Sequence, residues 1–188
     1  MAMLMLSKPQ KTLLLTTAWH SIARGVKSGK PLILNLSDYP TALLEPQASF
    51  VTLSYQSQMR GCIGHLKAVR PLVEDVSENA FAAAFCDQHH SPITEAELAE
   101  LEIKIDIVSP TETLTFNSEL DLISQLQAGI DGLILEDGAR HASFLPTTWT
   151  TLQTPMQFIQ QLKQKAGLPA TYWSKSIKIS RFTTQQIS

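Results

Sequence analysis

Cysteine is scarce in this 188-residue chain, which carries only Cys62 and Cys86. Two thiols cannot build a disulfide framework, and such sparse usage fits a reducing compartment, so a cytoplasmic location is expected. Long apolar runs are missing as well: no stretch approaches the roughly 18 to 20 residues that a membrane-spanning helix requires. The apolar start, Met1-Ala2-Met3-Leu4-Met5-Leu6, has no basic residue before it and meets Lys8 and Pro9 at once, which excludes a signal peptide. Charge of either sign is nearly balanced, with a net charge of -2 and a pI near 6.2, and this removes the basic footprint of nonspecific nucleic-acid binding. No GxGxxG, Walker or nucleophile-elbow pattern stands at a strand-to-helix junction, so nucleotide and serine-hydrolase readings have no support. Internal repeats, low-complexity tracts and long polar linkers are absent too. What is left, 44% hydrophobic and 17% charged, is the composition of one soluble, well-packed domain or of one domain with a small satellite.

One stretch concentrates the chemistry. Met59-Arg60-Gly61-Cys62-Ile63-Gly64-His65-Leu66 brings a cation, a thiol, an imidazole and two glycines within six residues. Gly61 and Gly64 lack a Cβ, so another group can approach the backbone, or the strand can bulge. Side chains alternate along a strand, which puts Arg60, Cys62 and Gly64 on one face and sends His65 to the other unless a bulge intervenes. On that face Arg60 is placed to depress the Cys62 pKa and favour the thiolate. The competing reading is a buried structural cysteine in a tightly packed strand.

The surrounding pattern supplies the mount. A helix over residues 9–28 is expected from Pro9 in its first turn and the stripe Leu15, Ala18, Trp19, Ile22 and Val26. Residues 30–47, with Pro31, Pro40 and Pro46, read as an irregular crossing segment, of which Leu32 to Leu44 is a candidate lid, with a plain packed loop as the favoured reading. Ser49–Tyr55 and the motif strand form a hairpin. Pro71 then opens a helix with Glu74, Asp75 and Glu78 in its first turns and the buried stripe Leu72, Val73, Val76, Ala80, Ala83 and Ala84, whose alanines permit close approach to the sheet. Asn79 interrupts that helix at a cost in propensity, which a side-chain hydrogen bond to the motif strand would offset.

Cys86-Asp87-Gln88-His89-His90 offers metal-ligand types, but adjacent loop histidines point apart and no second ligand pair closes a shell, so no metal site is assigned. Thr94-Glu95-Ala96-Glu97 is a capping box opening a short helix, and Leu101, Ile103, Ile105 and Ile107 alternate with charged residues as a half-buried strand. A helix from Ser118 to about Gln127 follows, then a hairpin turning at Asp137-Gly138 between Gly132–Glu136 and Ala139–Phe144. A last helix runs from Pro155 to Gly167, and a closing strand covers Ser176 to Thr183. Six strands with about five intervening helices make an α+β fold with a largely antiparallel sheet.

Taken in order, Phe50-Val51-Thr52-Leu53, Met59-Arg60-Gly61-Cys62-Ile63-Gly64, Arg70-Pro71-Leu72 with Asp75-Val76 and Glu78-Asn79-Ala80, Leu101-Glu102-Ile103, Gly132-Leu133-Ile134-Leu135-Glu136, Phe144-Leu145-Pro146 with Trp149, and Lys165-Ala166-Gly167-Leu168 resemble the AMMECR domain family over about residues 12–184. The resemblance implies a single α+β domain made of a larger and a smaller subdomain, and a cleft to which Arg60-Gly61-Cys62-Ile63-Gly64 contributes. It implies no established reaction. For the version without extra domains it implies partnership with a Memo-like protein and a radical SAM protein. The chain departs from the family at Met59, at Gln47-Ala48, where the family often has a basic residue and a glycine, and at Gln88-His89-His90.

Three functions are therefore open. The first is an enzyme using Cys62 as nucleophile or redox thiol, supported by Arg60, with Glu136, His141 and Glu78 as candidate acids or bases. The second is an adaptor whose cleft binds a small molecule or peptide through Gly61, Ile63, Gly64, His65, Glu78 and Asn79. The third, RNA-related binding, has the acidic balance against it. No cofactor is assigned.

Overall fold

The computed structural model of the chain describes residues 5–188, so most of the apolar start lies outside the described residues. The described residues form two units, one from residues 5–109 and 185–188, the other from 110–184. Each contains one four-stranded sheet.

In the first unit, α1 spans Lys8–Ser28 and buries Leu14, Ala18, Ser21, Ile22 and Gly25. The buried face is displaced by about one residue from the expected stripe, and Trp19 stands 41% exposed. The reason is what α1 packs against: its small residues meet the next long helix, where Ser21 Oγ donates to the carbonyl of Ser77 at 2.8 Å. Residues 30–47 pack onto the first unit at Leu43 and Gln47. A 3-10 turn at Leu36–Asp38 leads to α2, Thr41–Leu44, whose Leu43 is fully buried, and Glu45 O accepts from Leu72 N at 3.1 Å.

The hairpin of β1 (Ser49–Tyr55) and β2 (Gln58–Gly64) turns on Gln56 and Ser57, both at positive φ (49° and 62°). Both central residues left-handed is the two-residue geometry that matches strand twist. Next come α3 (Leu72–Phe85), the short helix expected after the Thr94 capping box, which is a 3-10 helix at Glu95–Glu100, and β3 (Leu101–Val108). β1 pairs antiparallel with both β2 and β3. The apolar residues of α1, β1, β3 and α3, Leu14, Ile22, Val51, Leu53, Val76, Ala80 and Ile105 among them, close one core.

The second unit holds β4 (Glu112–Thr113), α4 (Glu119–Gln125), β5 (Gly132–Asp137), β6 (Arg140–Phe144), a 3-10 turn at Pro146–Thr150, α5 (Pro155–Lys165) and β7 (Lys178–Phe182). The β5–β6 loop is Gly138-Ala139, one residue later than expected, because Asp137 pairs with Arg140 and Gly138 takes the positive φ of 61°. A stacked Trp149–Phe158 pair, centroids 4.0 Å apart, anchors its core. The chain then returns as β8 (Thr184–Ile187) to the edge of the first sheet, giving the orders β2-β1-β3-β8 and β4-β7-β5-β6.

Eight strands in two sheets among the described residues thus replace the six expected in one. β4 is too short to show an alternation, and β8 lies beyond Thr183, where the expected closing strand ends. The α+β class with antiparallel pairing stands.

Candidate functional site

β2 is an edge strand, and its register decides what each motif residue faces. Gly61 stands opposite Leu53 and Ile63 opposite Val51, whose side chains lie in the helix-covered core; Cys62 stands opposite Thr52 on the other face. The register slips between Leu53 and Ser54, which leaves Arg60 as the extra residue of a bulge.

Both glycines are needed by the protein itself. A Cβ at Gly61 would lie 2.0 Å from the carbonyl oxygen of Ala83 on α3, and one at Gly64 would lie 2.3 Å from Ser49 O. The close approach foreseen at these positions is made by a helix and a neighbouring strand. The alanine-rich face of α3 and Gly61 are therefore one packing device, while Gly64 makes room for β1.

Cys62 is half-buried and held at both ends. Its backbone N–H donates to Asp87 Oδ2 at 2.9 Å, and its Sγ accepts from the Thr52 hydroxyl at 3.3 Å. Asp87 also accepts from His89 N at 2.9 Å. The Cys62 amide, then that of His89, hold the Asp87 carboxyl below its ordinary pKa of 3.8. An outward amide on an edge strand needs such a partner. Among the described residues no group of three His, Cys, Asp or Glu side chains is arranged to hold a metal, and Asp87 of the Cys86–His90 stretch anchors the Cys62 amide.

Arg60 turns to Glu97. Its Nε donates to Oε1 at 2.7 Å, and this bond, helped by Thr94, lowers the Glu97 pKa from 4.5 to about 2. The charge expected to act on Cys62 is thus balanced by a carboxylate that sequence spacing did not connect to it.

His65 points the opposite way from Cys62, as alternation requires. Its Nε2 lies 2.7 Å from Oδ1 of Asp75, the fully buried carboxylate in the first turns of α3. Asp75 Oδ2 accepts from Ser49 N at 2.9 Å, Ser49 Oγ at 2.7 Å and Asn79 Nδ2 at 2.9 Å. Burial raises the Asp75 pKa above 3.8, with the Ser49 hydroxyl, His65 and Arg70 acting against it. Asn79 also donates to Ser49 O at 3.0 Å, so its hydrogen bond goes to β1 and not to the motif strand. The same carbonyl accepts from His65 N at 3.3 Å, which ties both strands to α3. Arg70 Nε stands 3.6 Å from Asp75 Oδ1, and its Nη1 pairs with Glu78.

Glu136 and His141 belong to the second unit, exposed and directly opposite one another on the β5–β6 ribbon. Sequence reasoning missed Asp87, Glu97 and Thr52 as supports of the motif. Thr52 was reachable from the hairpin register alone.

A family model, AMMECR1, matches residues 15–187. The chain belongs to the AMMECR1 family. The AMMECR1 match starts three residues later and ends three later than the span read from the motifs. A protein of Methanothermobacter thermautotrophicus is 30% identical over 182 residues, covering 96% of this chain and 94% of its own. One from Methanocaldococcus jannaschii is 30% identical over 176 residues, covering 88% and 84%. The crystal structure of an uncharacterized protein from Pyrococcus horikoshii superposes with a TM-score of 0.88 at 26% identity, covering 96% of this chain and 92% of that one. The Pyrococcus protein shares the fold of this AMMECR1 chain.

Proposed function

We propose that this AMMECR1 chain acts through a Cys62 thiolate on a small molecule or peptide reaching the face of β2 opposite α3. The observation that carries the reading is the Thr52 hydroxyl donating to Cys62 Sγ at 3.3 Å. An O–H donor stabilises a thiolate more than a thiol, and the thiolate is the nucleophile. Asp87 adds rigidity, since the amide of the same residue is clamped at 2.9 Å. The partners we assign to this activity are the Memo-like and radical SAM proteins of the AmmeMemoRadiSam trio, in the cytoplasm, meeting at a cleft that includes Arg60-Gly61-Cys62-Ile63-Gly64.

Iodoacetamide labelling against pH, with Cys62 and Cys86 resolved by peptide mass spectrometry, tests the reading. The Cys62 midpoint is expected below the ordinary value of roughly 8.5 and should rise in Thr52→Val, which keeps the shape and removes the donor. Cys62→Ser should keep the fold. A midpoint near 8.5 that Thr52→Val leaves unmoved assigns the motif to non-catalytic binding, the adaptor role.

A further inference from the structure

We propose that His65 is a second reactive group of this fold, a general acid-base imidazole whose Nδ1 is presented to solvent by a buried Asp75 on the face of β2 away from Cys62.

The argument begins with which atoms are covered. The His65 side chain is 32% exposed, yet its Nε2 is buried against Asp75 Oδ1 at 2.7 Å, off the line of a straight hydrogen bond. Because Nε2 is covered, the exposure of the side chain belongs to the rest of the ring, the part that carries Nδ1. A carboxylate behind one ring nitrogen selects the tautomer with the proton on that nitrogen and raises the basicity of the other.

The carboxylate is itself fixed. Three donors, Ser49 N, Ser49 Oγ and Asn79 Nδ2, converge on Asp75 Oδ2. Oδ1 is thereby left facing the imidazole, with Arg70 Nε 3.6 Å away. His65 N also donates to Ser49 O at 3.3 Å, which fixes the backbone beneath the ring against β1. Serine, asparagine and backbone together hold a charge in place behind a ring, which is the second layer that an acid-base histidine requires.

The step is a proton transfer without redox. A substrate hydroxyl, thiol or bound water gives its proton to Nδ1, the imidazole becomes imidazolium with Nε2–H facing Asp75, and the proton leaves from Nδ1 to the departing group or to water. The fitting substrates carry an ionisable X–H group. Arg70 and Glu78, paired beside the cluster, are the other charged groups there. Asp75 is a positioning residue and His65 the group that touches substrate.

The test is nitrogen-15 NMR of histidine-labelled full-length protein, with His65→Gln assigning the His65 signals, and diethyl pyrocarbonate acylation followed site by site by mass spectrometry. At pH above the imidazole transition His65 is expected as the Nε2–H tautomer. Its acylation rate, taken relative to the exposed His89, should fall about tenfold in Asp75→Asn, because the ring loses the carboxylate that orients it and selects its tautomer. A Nδ1–H tautomer in the native chain overturns the proposal, and so does an unchanged rate ratio in a folded Asp75→Asn. Should that variant not fold, the native tautomer decides alone. Iodoacetamide labelling of Cys62 is read separately, so failure here and failure of the thiol reading are distinct.

Discussion

The carbonyl oxygen of Ala83 on α3 occupies the place where a side chain at Gly61 would begin, 2.0 Å from the position of its Cβ. Because that oxygen is backbone, no rotamer change relieves the overlap, and β2 must move away from α3 to admit even a methyl group. Gly61→Ala is expected to destabilise the protein by about 3 kcal/mol, the upper part of the usual overpacking range. Urea unfolding measures it, and a loss under 1 kcal/mol would mean that strand and helix separate readily.

Asp87 links the loop after α3 to the motif. Asp87→Ala leaves the Cys62 amide without its carboxylate acceptor, and a charge-assisted bond of this kind contributes about 1.5–3 kcal/mol. Amide hydrogen exchange at Cys62 should accelerate much more than exchange in β5 and β6 of the second unit. Uniform acceleration across both sheets would show a global effect instead.

Arg60 is a weaker influence on Cys62 than its position two residues away suggests, because Glu97 balances its charge at 2.7 Å. Arg60→Gln should shift the pH midpoint of Cys62 alkylation less than Thr52→Val does. The reverse order would make the guanidinium, and not the hydroxyl, the main stabiliser of the thiolate.

Acid stability follows from three carboxyls with two signs. Glu97 has a folded pKa of about 2 against an ordinary 4.5, because Arg60 donates to it, and Asp87 is also lowered. Their stabilisation is present above the ordinary carboxylate pKa and is lost as pH falls through the folded values. Asp75 is raised by burial, so its contribution runs the other way: it favours the fold at low pH and fades as pH rises past 3.8. Glu97→Gln should therefore flatten the fall in melting temperature between pH 4.5 and 2. A parallel, merely lowered curve would separate Glu97 from that acid transition.

Lys163 is fully buried in the second unit, donating to Glu119 Oε1 at 2.6 Å and Tyr172 O at 3.0 Å. Lys163→Ala should cost about 3 kcal/mol through the cavity and the lost pair, and Lys163→Met less, since it keeps the aliphatic stem. Equal losses in thermal unfolding would place the whole effect in the charge.

The motif and most elements were legible in the sequence because they rest on local rules: alternation in β1 and β3, the alanine stripe of α3, proline at the start of α5. Alternation alone also sent His65 away from Cys62. Other features depended on what arrives from elsewhere in the chain. The glycines at 61 and 64 advertised space, but only packing showed that Ala83 and Ser49 fill it. Arg60 meets Glu97, 37 residues on, and Cys62 meets Asp87, 25 residues on. No periodicity carries such pairings, which arise when α3 and the turn before β3 are laid against the edge strand. The same holds for the last residues, where the strand expected over Ser176 to Thr183 is β7, inside the second sheet, and β8 follows it on the edge of the first, because each pairs with a neighbour from a different part of the chain.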